Sequence, residues 1–481
     1  MPVKYVLGAM LVAASASTLA ATPHQADDCL KLSRAGTQVQ GMVKICPGRY
    51  RIPDPDERGI LVIASSHTHL DLTGVTLESG DSLPSGFVGI GILGRGIDAA
   101  EIHGGTVRGY RYGVMLEGGS GHRVYDMTLS GSRATVLRST SGAFDEADWL
   151  DIFHPDTFEG YGGGIQLKWT DGASVTRIVA TGSQNGIGLF GARNTYVADN
   201  DVSHNSGWGI HLWRAAHNVI VRNQSHDVVR CEARSYSRGC DSAGILLRER
   251  SDSNIVADND LRRSGDGFFL SGHRPQLNPS IGNLVARNDA SFAYHNAFEA
   301  TFSSGNTFID NVADSSAYGF WMGYSTGTVV RGNRIFGTRS AAIAIEHGGD
   351  NTLAGNLIIG GTVGIHLSSP TAGDAPSRAY RIDDNVLADL QQGIVMQGTR
   401  ESHLRGNLLD RLDEGLVVDS TGSDTEVVGN VFLRIRRWFI AAPELSAGGN
   451  FWGTPTREDT MRRVSGRIII DPWIPASEAG F

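Results

Sequence analysis

The sequence predicts an all-β fold, a single solenoid whose coils of about 22 residues stack as a parallel β-helix. Three observations support this prediction. Glycine supplies 62 of the 481 residues, and charged residues supply only 19%, so turns and sheet are favoured over helical bundles. A motif that ends in asparagine and a short strand motif both recur along the chain with a common period.

Asparagine closes a short motif, as in VADN at Asn200, IVRN at Asn223 and FIDN at Asn311. Further copies end at Asn259, Asn288, Asn333, Asn356, Asn385, Asn407 and Asn430. The spacing is 22 or 23 residues, and intervals of 29 or 36 are interpreted as one period plus an insertion. Such self-similarity indicates a solenoid. Asparagine suits a recurrent turn because it tolerates the left-handed conformation, and its amide can hydrogen-bond to its copies on neighbouring coils.

A strand of the form Gly-Ile-x-Leu occurs in each repeat. In pairs such as Ile187 with Leu189 and Ile210 with Leu212, both members are apolar. Alternation with a period of two places both side chains on one face of a strand, so stacked copies form an apolar inner wall. The residue between them and the residue after them are then expected to point outward.

The N-terminus and the cysteines predict export. Residues 1–20 contain one lysine, an alanine-rich apolar run and a small-residue exit, which is typical of a secretory signal peptide. No later segment is apolar enough to span a membrane. The even number of cysteines favours two local disulfides, Cys29 with Cys46 and Cys231 with Cys240. We therefore expect a periplasmic or secreted protein.

We expect the chain after the signal peptide to consist of an N-terminal cap, a β-helix and a short tail. Residues 21–57 are expected to cap the N-terminal end of the solenoid, which otherwise exposes an unpaired edge. Residues 58–475 are expected to form the β-helix, with loop insertions at about 131–163, 224–241 and 272–282 and a tail at 476–481. A short helix near Thr454 is expected to cap the C-terminal end.

The repeats, the opening ICPGRYRI and the closing GGNFWGTPTRED and IIIDPWIP resemble the right-handed parallel β-helix family, in particular its NosD-like and pectate-lyase-like members. The resemblance implies the fold more strongly than the function, because this fold hosts lyases, epimerases, hydrolases and proteins without catalytic activity. NosD-like proteins are linked to copper-site assembly, yet His and Met do not cluster in the outward columns. The Asp-Pro-His-Asp motif of alginate epimerases is absent, since residues 153–158 read FHPDTF.

Aromatic and charged residues stand on the outward face where a stacked-strand wall needs none. The predicted substrate-binding residues are Lys168, Phe190, Trp208, Trp213, Glu299 and Trp321. Exposed rings with charges between them indicate a binding surface, and flat rings suit sugar faces. The insertions leave the coil at one phase and are expected to flank these rings as the walls of a cleft. The alternative is that the long loops fold back and bury the rings.

The predicted catalytic residues are His211, Arg248, Asp266 and Asp241. An arginine neutralises the carboxylate of a uronate and a histidine removes the acidified proton, which leads to β-elimination or C5-epimerisation. A hydrolase needs two carboxylates, which Asp241 and Asp266 are candidates to supply. Glu299 is expected too far from His211 to share its reaction centre and is assigned to a neighbouring subsite with Trp321. His295 and His347 are expected to be turn residues.

These features predict a protein that acts on a polysaccharide or oligosaccharide, as a lyase or epimerase of a uronate polymer or as a glycoside hydrolase. The alternatives are a carbohydrate-binding or structural β-helix without activity and a copper-site accessory protein. The formal net charge of −9 disfavours nucleic-acid binding, because such binding depends on positive charge. We expect a monomer without cofactor or metal. Calcium is compatible with the fold, but no motif indicates it.

Overall fold

The computed structural model describes residues 29–80, 83–134, 161–230, 242–272, 278–370, 377–422 and 424–475. It is a right-handed parallel β-helix, as predicted. The predicted signal peptide, Cys231, Cys240, Asp241, much of the first two predicted insertions and the tail lie outside the described residues.

The largest sheet carries the Gly-Ile-x-Leu strands, and within the described ranges every pairing in it is parallel. Its 20 strands are Thr37–Val39, Leu61–Ile63, Ile90–Arg95, Tyr112–Glu117, Gly163–Lys168, Asn185–Phe190, Trp208–Trp213, Ala243–Arg248, Asp266–Ser271, Asn296–Thr301, Val312–Asp314, Tyr318–Gly323, Arg334–Glu346, Leu357–Ser368, Val386–Gln397, Leu408–Asp410, Glu414–Val418, Val431–Leu433, Trp438–Ser446 and Val464–Ile469. Each strand pairs with its equivalent one coil away, so successive coils are spaced by about 4.8 Å.

The second sheet consists of three-residue strands, which from Tyr196–Ala198 onward precede the recurrent asparagines. Its 15 strands are Met42–Lys44, His69–Asp71, Glu101–His103, Arg123–Tyr125, Ser174–Thr176, Tyr196–Ala198, Val219–Val221, Ile255–Ala257, Leu284–Ala286, Thr307–Ile309, Val329–Arg331, Thr352–Ala354, Arg381–Asp383, His403–Arg405 and Glu426–Val428. A third sheet contains Gly48–Arg51, Val75–Glu78 and Thr106–Arg108.

The two ends of the solenoid are built differently. At the N-terminal end, Cys29 and Cys46 form the predicted disulfide, and the strands from Thr37 to Arg51 already pair with the next coil. At the C-terminal end, the short helix Arg457–Met461 lies where the sequence predicts one. The Thr456 hydroxyl caps it by accepting a hydrogen bond from the Asp459 N–H at 3.1 Å. A 3₁₀ turn, Pro84–Gly86, interrupts an early coil.

The core is the stacked inner wall. Ile187, Ile210, Ile245 and Phe268 are in register on successive coils, and each is fully buried. Their column continues through Phe298. The inward position of the Gly-Ile-x-Leu motif is therefore confirmed, and the residue between the two apolar positions faces outward.

The recurrent asparagines form a continuous amide ladder. Asn288 illustrates the pattern: its Nδ2 donates to Asn311 Oδ1 at 3.1 Å and to the Val256 carbonyl at 2.9 Å, and its Oδ1 accepts from Asn259 Nδ2 at 2.9 Å. The same Asn–Asn bond links every pair from Asn200 to Asn450 at 2.8–3.1 Å. The predicted bonding between copies is thus confirmed.

The left-handed residue of this turn is the one before each asparagine, and not the asparagine itself. Asp199, Arg222, Asp258 and Asp310 all have φ between 54° and 59°. In the later coils glycine takes this place, as at Gly332 with φ 65°. The expectation that asparagine itself adopts this conformation was wrong, because its amide must face inward to reach the neighbouring coils.

We expect Asn288→Ala to lower the free energy of unfolding by about 2–4 kcal/mol, because it leaves the buried Val256 carbonyl and Asn259 amide without their partners. Denaturant unfolding followed by circular dichroism measures the loss. Gln391→Ala, which truncates an exposed amide, is the control and should change stability by less than about 0.5 kcal/mol. Equal effects from both variants would show that the ladder contributes nothing beyond a surface amide.

Candidate functional site

Three columns of side chains run along the outer face of the largest sheet. The register confirms the two predicted columns, one through His211, Leu246, Phe269, Glu299 and Trp321 and one through Trp213, Arg248 and Ser271. A third column, which sequence reasoning did not recognise as such, lies at the start of these strands. Its members are Asn185, Trp208, Ala243, Asp266, Asn296 and Tyr318.

The third column exists because the strands break strict alternation at a glycine. A Cβ atom built on Gly267 would lie 2.4 Å from the Cβ of Ala290, and one on Gly209 would lie 1.8 Å from Ser225 Oγ. Both glycines therefore face inward, beside an inward neighbour, and the residues before them, Asp266 and Trp208, emerge on the outer face. The position before the motif glycine is the sequence signal for this column.

The predicted binding stripe is buried, and not exposed as expected. His211, Arg248 and Asp266 are 0% exposed, and Phe190, Trp208, Trp213 and Glu299 are at most 7% exposed. Lys168 and Trp321 are half-buried. The expectation of an open aromatic cleft was wrong because the rings pack on one another. Phe190, Trp208, Trp213, Leu246 and Phe269 form an apolar cluster outside the solenoid core, together with Tyr161 and Ala243.

His211 lies in the aromatic part of this cluster. Its ring centroid is 4.8 Å from that of Trp208 and 5.0 Å from that of Phe190. Tyr161, at the end of the first insertion, contacts Trp208 edge-on at 5.8 Å, and Arg230, within the second insertion, lies over the same indole at 4.9 Å. A described residue from each of the two predicted insertions thus contacts Trp208. Burial and the charges of two arginines lower the pKa of His211 to about 3, so its imidazole is neutral at physiological pH.

Arg248 is the cation of the site. Burial lowers its pKa to about 9, and the carboxyl groups of Glu249 and Glu299 oppose that change. The guanidinium therefore stays charged at neutral pH. Arg248 acts electrostatically on both His211 and Glu299, which places it between the aromatic part of the site and a second, carboxyl-bearing part.

Asp266 and Glu299 form a buried carboxyl pair on adjacent coils. Asn296 bridges them: its backbone N–H donates to Asp266 Oδ1 at 2.8 Å, and its Nδ2 donates to Glu299 Oε2 at 2.5 Å. His295 Nδ1 lies 3.5 Å from Asp266 Oδ1. Asp266 Oδ2 is buried and has no hydrogen-bond partner among the described residues. This oxygen is therefore open to a proton, a substrate atom or a cation.

The protonation of Glu299 follows from this environment. Burial, and next the Asp266 carboxylate, raise the pKa of the Glu299 carboxyl from its ordinary 4.5 to about 8, while His295, Asn296 and Arg248 pull it down. Two carboxylates this close cannot both ionise without a large electrostatic cost. Glu299 therefore carries a proton near neutral pH.

His211 and the carboxyl pair lie in different parts of the outer face. His211 and Glu299 are three coils apart in one column, with Leu246 and Phe269 between them, a separation of about 14 Å. Glu299 adjoins Trp321, and it lies diagonally across one coil from Asp266. Its assignment to a subsite with Trp321 stays a prediction.

Sequence reasoning also missed Asn296 and His295. His295 lies in the turn before the Asn296 strand, as expected, and from there it contacts Asp266 with a side chain that is 26% exposed. It stacks edge-on against Tyr318 at 6.3 Å. Together with half-buried Tyr318 and Trp321, His295 forms the more exposed approach to the carboxyl pair.

Two groups of side chains in the described part of the chain have metal-ligand spacing. Asp266, His295 and Glu299 present ligand atoms within 4.8 Å of one another, and so do His204, His226 and Asp227. The first group is the carboxyl pair itself. The second lies on the turns that lead into the Trp208 and Ala243 strands. No helix among the described residues has the length and apolar character needed to cross a membrane.

We expect Glu299→Gln to flatten the pH dependence of stability. The folded protein holds a proton on Glu299 that the unfolded chain releases above pH 4.5, so this contribution is complete below that pH and disappears as pH rises through about 8. Thermal unfolding from pH 4.5 to 8.5 should therefore show wild type losing stability relative to the variant. The control, Glu346→Gln, changes a half-buried carboxyl on the same outer face, and a parallel loss in wild type and Glu299→Gln would contradict a raised pKa.

Comparison with known proteins gives the following similarities. The family model described as periplasmic copper-binding protein (NosD) matches residues 75–228 and 276–463, and the model described as right-handed beta helix region matches residues 163–321. No curated protein sequence matches this chain.

Several solved structures resemble the chain at low identity. The A-module of the Azotobacter vinelandii mannuronan C-5 epimerase AlgE6 is 12% identical, over 76% of this chain and 90% of that chain, with a TM-score of 0.48. The periplasmic alginate epimerase AlgG is 14% identical, over 74% and 84%, with a TM-score of 0.46. PfbA, a surface adhesin of Streptococcus pneumoniae, is 9% identical, over 83% and 84%, with a TM-score of 0.37.

Proposed function

The chain belongs to the family described as periplasmic copper-binding protein (NosD), and from the chemistry of its outer face we propose that it is an exported enzyme that cleaves glycosidic bonds in an acidic polysaccharide or oligosaccharide. The observation that carries this proposal is the buried Asp266–Glu299 pair. Its two members are held by one asparagine, and Glu299 carries a proton near neutral pH. The predicted signal peptide and the Cys29–Cys46 disulfide support action in the periplasm or outside the cell.

Glycosidic cleavage needs a proton donor for the leaving oxygen and a carboxylate for the anomeric carbon. Glu299 fits the donor, because an acid whose pKa lies close to the working pH is both protonated and able to release its proton. Asp266 fits the carboxylate, because its Oδ2 has no partner among the described residues. One ligand atom of each lies within 4.8 Å of the other, which matches the close spacing of retaining enzymes better than the wide spacing of inverting ones.

The proposed reaction has two steps, which together restore both carboxyl groups. Glu299 gives its proton to the glycosidic oxygen while Asp266 attacks the anomeric carbon, so the sugar is transferred to Asp266 as an ester and the alcohol leaves. Water then attacks the ester and gives its proton to Glu299, which restores both carboxyl groups. Burial excludes other water and strengthens each charge interaction in the site.

Arg248 and the aromatic residues supply the substrate preference. A buried guanidinium suits a carboxylate on the substrate, because arginine binds carboxylates with two parallel hydrogen bonds. Half-buried Tyr318 and Trp321 offer flat faces for sugar rings at the approach to the carboxyl pair. The coil spacing of about 4.8 Å is close to the length of one sugar unit, so successive coils match successive sugars.

Elimination or C5-epimerisation of a uronate polymer is the second candidate, and Arg248 favours it because such chemistry also starts from a neutralised carboxylate. His211 supports it less well than the sequence suggests. A pKa of about 3 makes its imidazole a weak base, and it lies three coils from the carboxyl pair. His211 instead packs in the buried aromatic cluster with Trp208 and Phe190.

The family description raises the question of copper. The Asp266–His295–Glu299 group offers one imidazole and two carboxylates, a ligand set that suits harder cations. His204 and His226 offer two imidazoles beside Asp227, and this group fits copper(II) better. Copper(II) held there would be bound by nitrogen ligands, and no step at the carboxyl pair uses it.

We expect Glu299→Gln and Asp266→Asn each to lower kcat by roughly 10²–10⁴-fold, because each removes one half of the acid–carboxylate pair. The mature protein is incubated with a panel of acidic and neutral polysaccharides, and reducing ends and unsaturated-uronate absorbance are followed together. Reducing ends without absorbance support hydrolysis.

Glu346→Gln is the matched control and should retain full activity, since Glu346 lies on the same outer face away from the carboxyl pair. Absorbance that rises with the reducing ends would establish elimination and overturn the hydrolase assignment. Unchanged turnover in both Glu299→Gln and Asp266→Asn would remove these two residues from the reaction altogether.

We expect Trp321→Ala to raise KM by roughly tenfold with little change in kcat, because it removes a ring that contacts the sugar and not the reacting bond. Initial rates over a range of oligosaccharide lengths measure the two constants. Trp169→Ala, which truncates an indole that is 56% exposed at the far side of the aromatic cluster, serves for comparison. A loss confined to kcat would contradict a binding role for Trp321.

A further inference from the structure

We infer that a pocket on the third sheet, lined by Arg49, Arg51 and Arg108, binds the carboxylate groups of an acidic polysaccharide and serves as an anchor away from the reaction centre. The pocket has a volume of about 580 Å³, which lies in the range of small-molecule sites. Glu78, Phe87 and three glycines complete its lining. The inference rests on the polysaccharide substrate proposed above, but not on the cleavage chemistry of the carboxyl pair.

The arginines of this pocket outnumber its carboxylates. Both oxygens of Glu78 are engaged, since Arg49 donates to Oε1 at 2.8 Å and to Oε2 at 2.9 Å, and Arg108 donates to Oε2 at 3.0 Å. The hydrogen bond from Arg49, and next that from Arg108, lower the pKa of Glu78 to about 2, so Glu78 is ionised at neutral pH. Three guanidinium charges against one carboxylate leave two positive charges in excess among the described lining residues.

Arg51 is the arginine of the pocket that forms no ion pair with a described carboxylate. It is in register with Glu78 on the next coil, yet its terminal nitrogen donates to the Gly80 carbonyl at 3.0 Å. A Cβ atom at Gly80, whose φ is 90°, would lie 2.6 Å from Arg51 Nε, so glycine is required for this contact. The Arg51 side chain is exposed, and its remaining N–H groups are available to an anionic ligand.

A uronate unit matches the chemistry of this lining. A planar carboxylate accepts paired hydrogen bonds from a guanidinium, and it would take the place of the carboxylate that Arg51 lacks. Phe87, which is 9% exposed, gives the pocket an apolar wall on which the C–H groups of a sugar ring can pack. The lining therefore offers one contact for the charge of a uronate and another for its ring.

A second arginine-lined pocket, near the C-terminal end, lacks this excess of positive charge. Each of its three arginines has a carboxylate partner, and the pairs are Arg411 with Asp389, Arg434 with Asp410 and Arg436 with Asp413. The excess is therefore specific to the pocket on the third sheet and is not a general property of arginines on this solenoid.

The pocket lies along the solenoid from the carboxyl pair. Arg108 stands just before Tyr112, which begins the strand of the largest sheet on the same coil. Tyr112 and Asp266 belong to one column and are five coils apart, a separation of about 24 Å. With about one sugar unit per coil, a chain of about five units spans this distance. A polymer held at the pocket would thus be present at a high effective concentration near the carboxyl pair.

The test is isothermal titration calorimetry of oligogalacturonate and oligomannuronate decamers with the mature full-length chain that carries Glu299→Gln, which prevents turnover. We expect at least one decamer to bind and Arg51→Ala to weaken its binding by roughly tenfold, because a charge-assisted contact is lost. Arg51→Lys should weaken it less, since it keeps the charge and loses only the planar fork. Arg436→Ala, which removes the same charge from the second pocket, is the matched control and should leave the affinity unchanged.

Circular dichroism of each variant confirms that the fold is intact. Failure of both decamers to bind, or equal weakening by Arg51→Ala and Arg436→Ala, would overturn the anchor. Inorganic phosphate is titrated as well, and Arg51-dependent binding of phosphate tighter than that of the decamer would replace the polysaccharide by a free oxyanion as the ligand.

Turnover by the chain with Glu299 intact separates this test from that of the carboxyl pair. We expect Arg51→Ala to raise KM for decamers by roughly tenfold and to leave both kcat and KM for trimers unchanged, because a trimer is too short to span about 24 Å. Arg51-dependent binding without any turnover would refute the hydrolase and leave the anchor standing. Turnover in Arg51→Ala with an unchanged KM for decamers would refute the anchor alone.

Discussion

Coil-to-coil register is the constraint on which the rest of this molecule depends. A parallel β-helix brings side chains together only if each coil lies directly over the last, since a slip of one residue turns every inward side chain outward. The asparagine ladder prevents such slips, because each amide bonds to the next amide and to a backbone carbonyl of the preceding coil. A shifted coil would break both bonds at once. The columns on the outer face are therefore as regular as the ladder.

That regularity permits a costly outer face. Arg248, His211 and Asp266 are all fully buried, and burial of charged or polar groups opposes folding unless they are compensated. Part of the free-energy cost of burial is avoided because two of the groups are uncharged: His211 stays neutral and Glu299 keeps its proton. The scaffold that carries Arg248 and Asp266 has an apolar wall and an amide ladder that extend far beyond them. A long solenoid tolerates such a site because its stability is a sum over many coils.

The sequence was sufficient to predict the architecture and part of the site. The period, the inward face and the outward columns of His211 and Arg248 all follow from spacing alone. The Cys29–Cys46 disulfide follows from the even number of cysteines and the predicted export. The third column does not, because strict alternation fails at glycines such as Gly267, whose inward position is visible only in three dimensions. The Asp266–Glu299 pair was missed for a related reason, since distances were estimated along a column and not along the diagonal that Asn296 bridges. The repeat pattern of the sequence does not indicate that the aromatic rings are buried, because residues such as Tyr161 reach them from irregular insertions.

The position of the carboxyl pair on adjacent coils also limits how this protein can change in length during evolution. Repeat proteins commonly gain or lose whole repeats, and a duplicated coil elsewhere in the solenoid would leave every local contact intact. A coil duplicated between Ser271 and Asn296 would instead move Glu299 one further rung, about 4.8 Å, away from Asp266 and would separate the acid from its partner. We therefore expect relatives that keep the activity to vary in the number of coils on either side of this interval and to hold constant the single step across it.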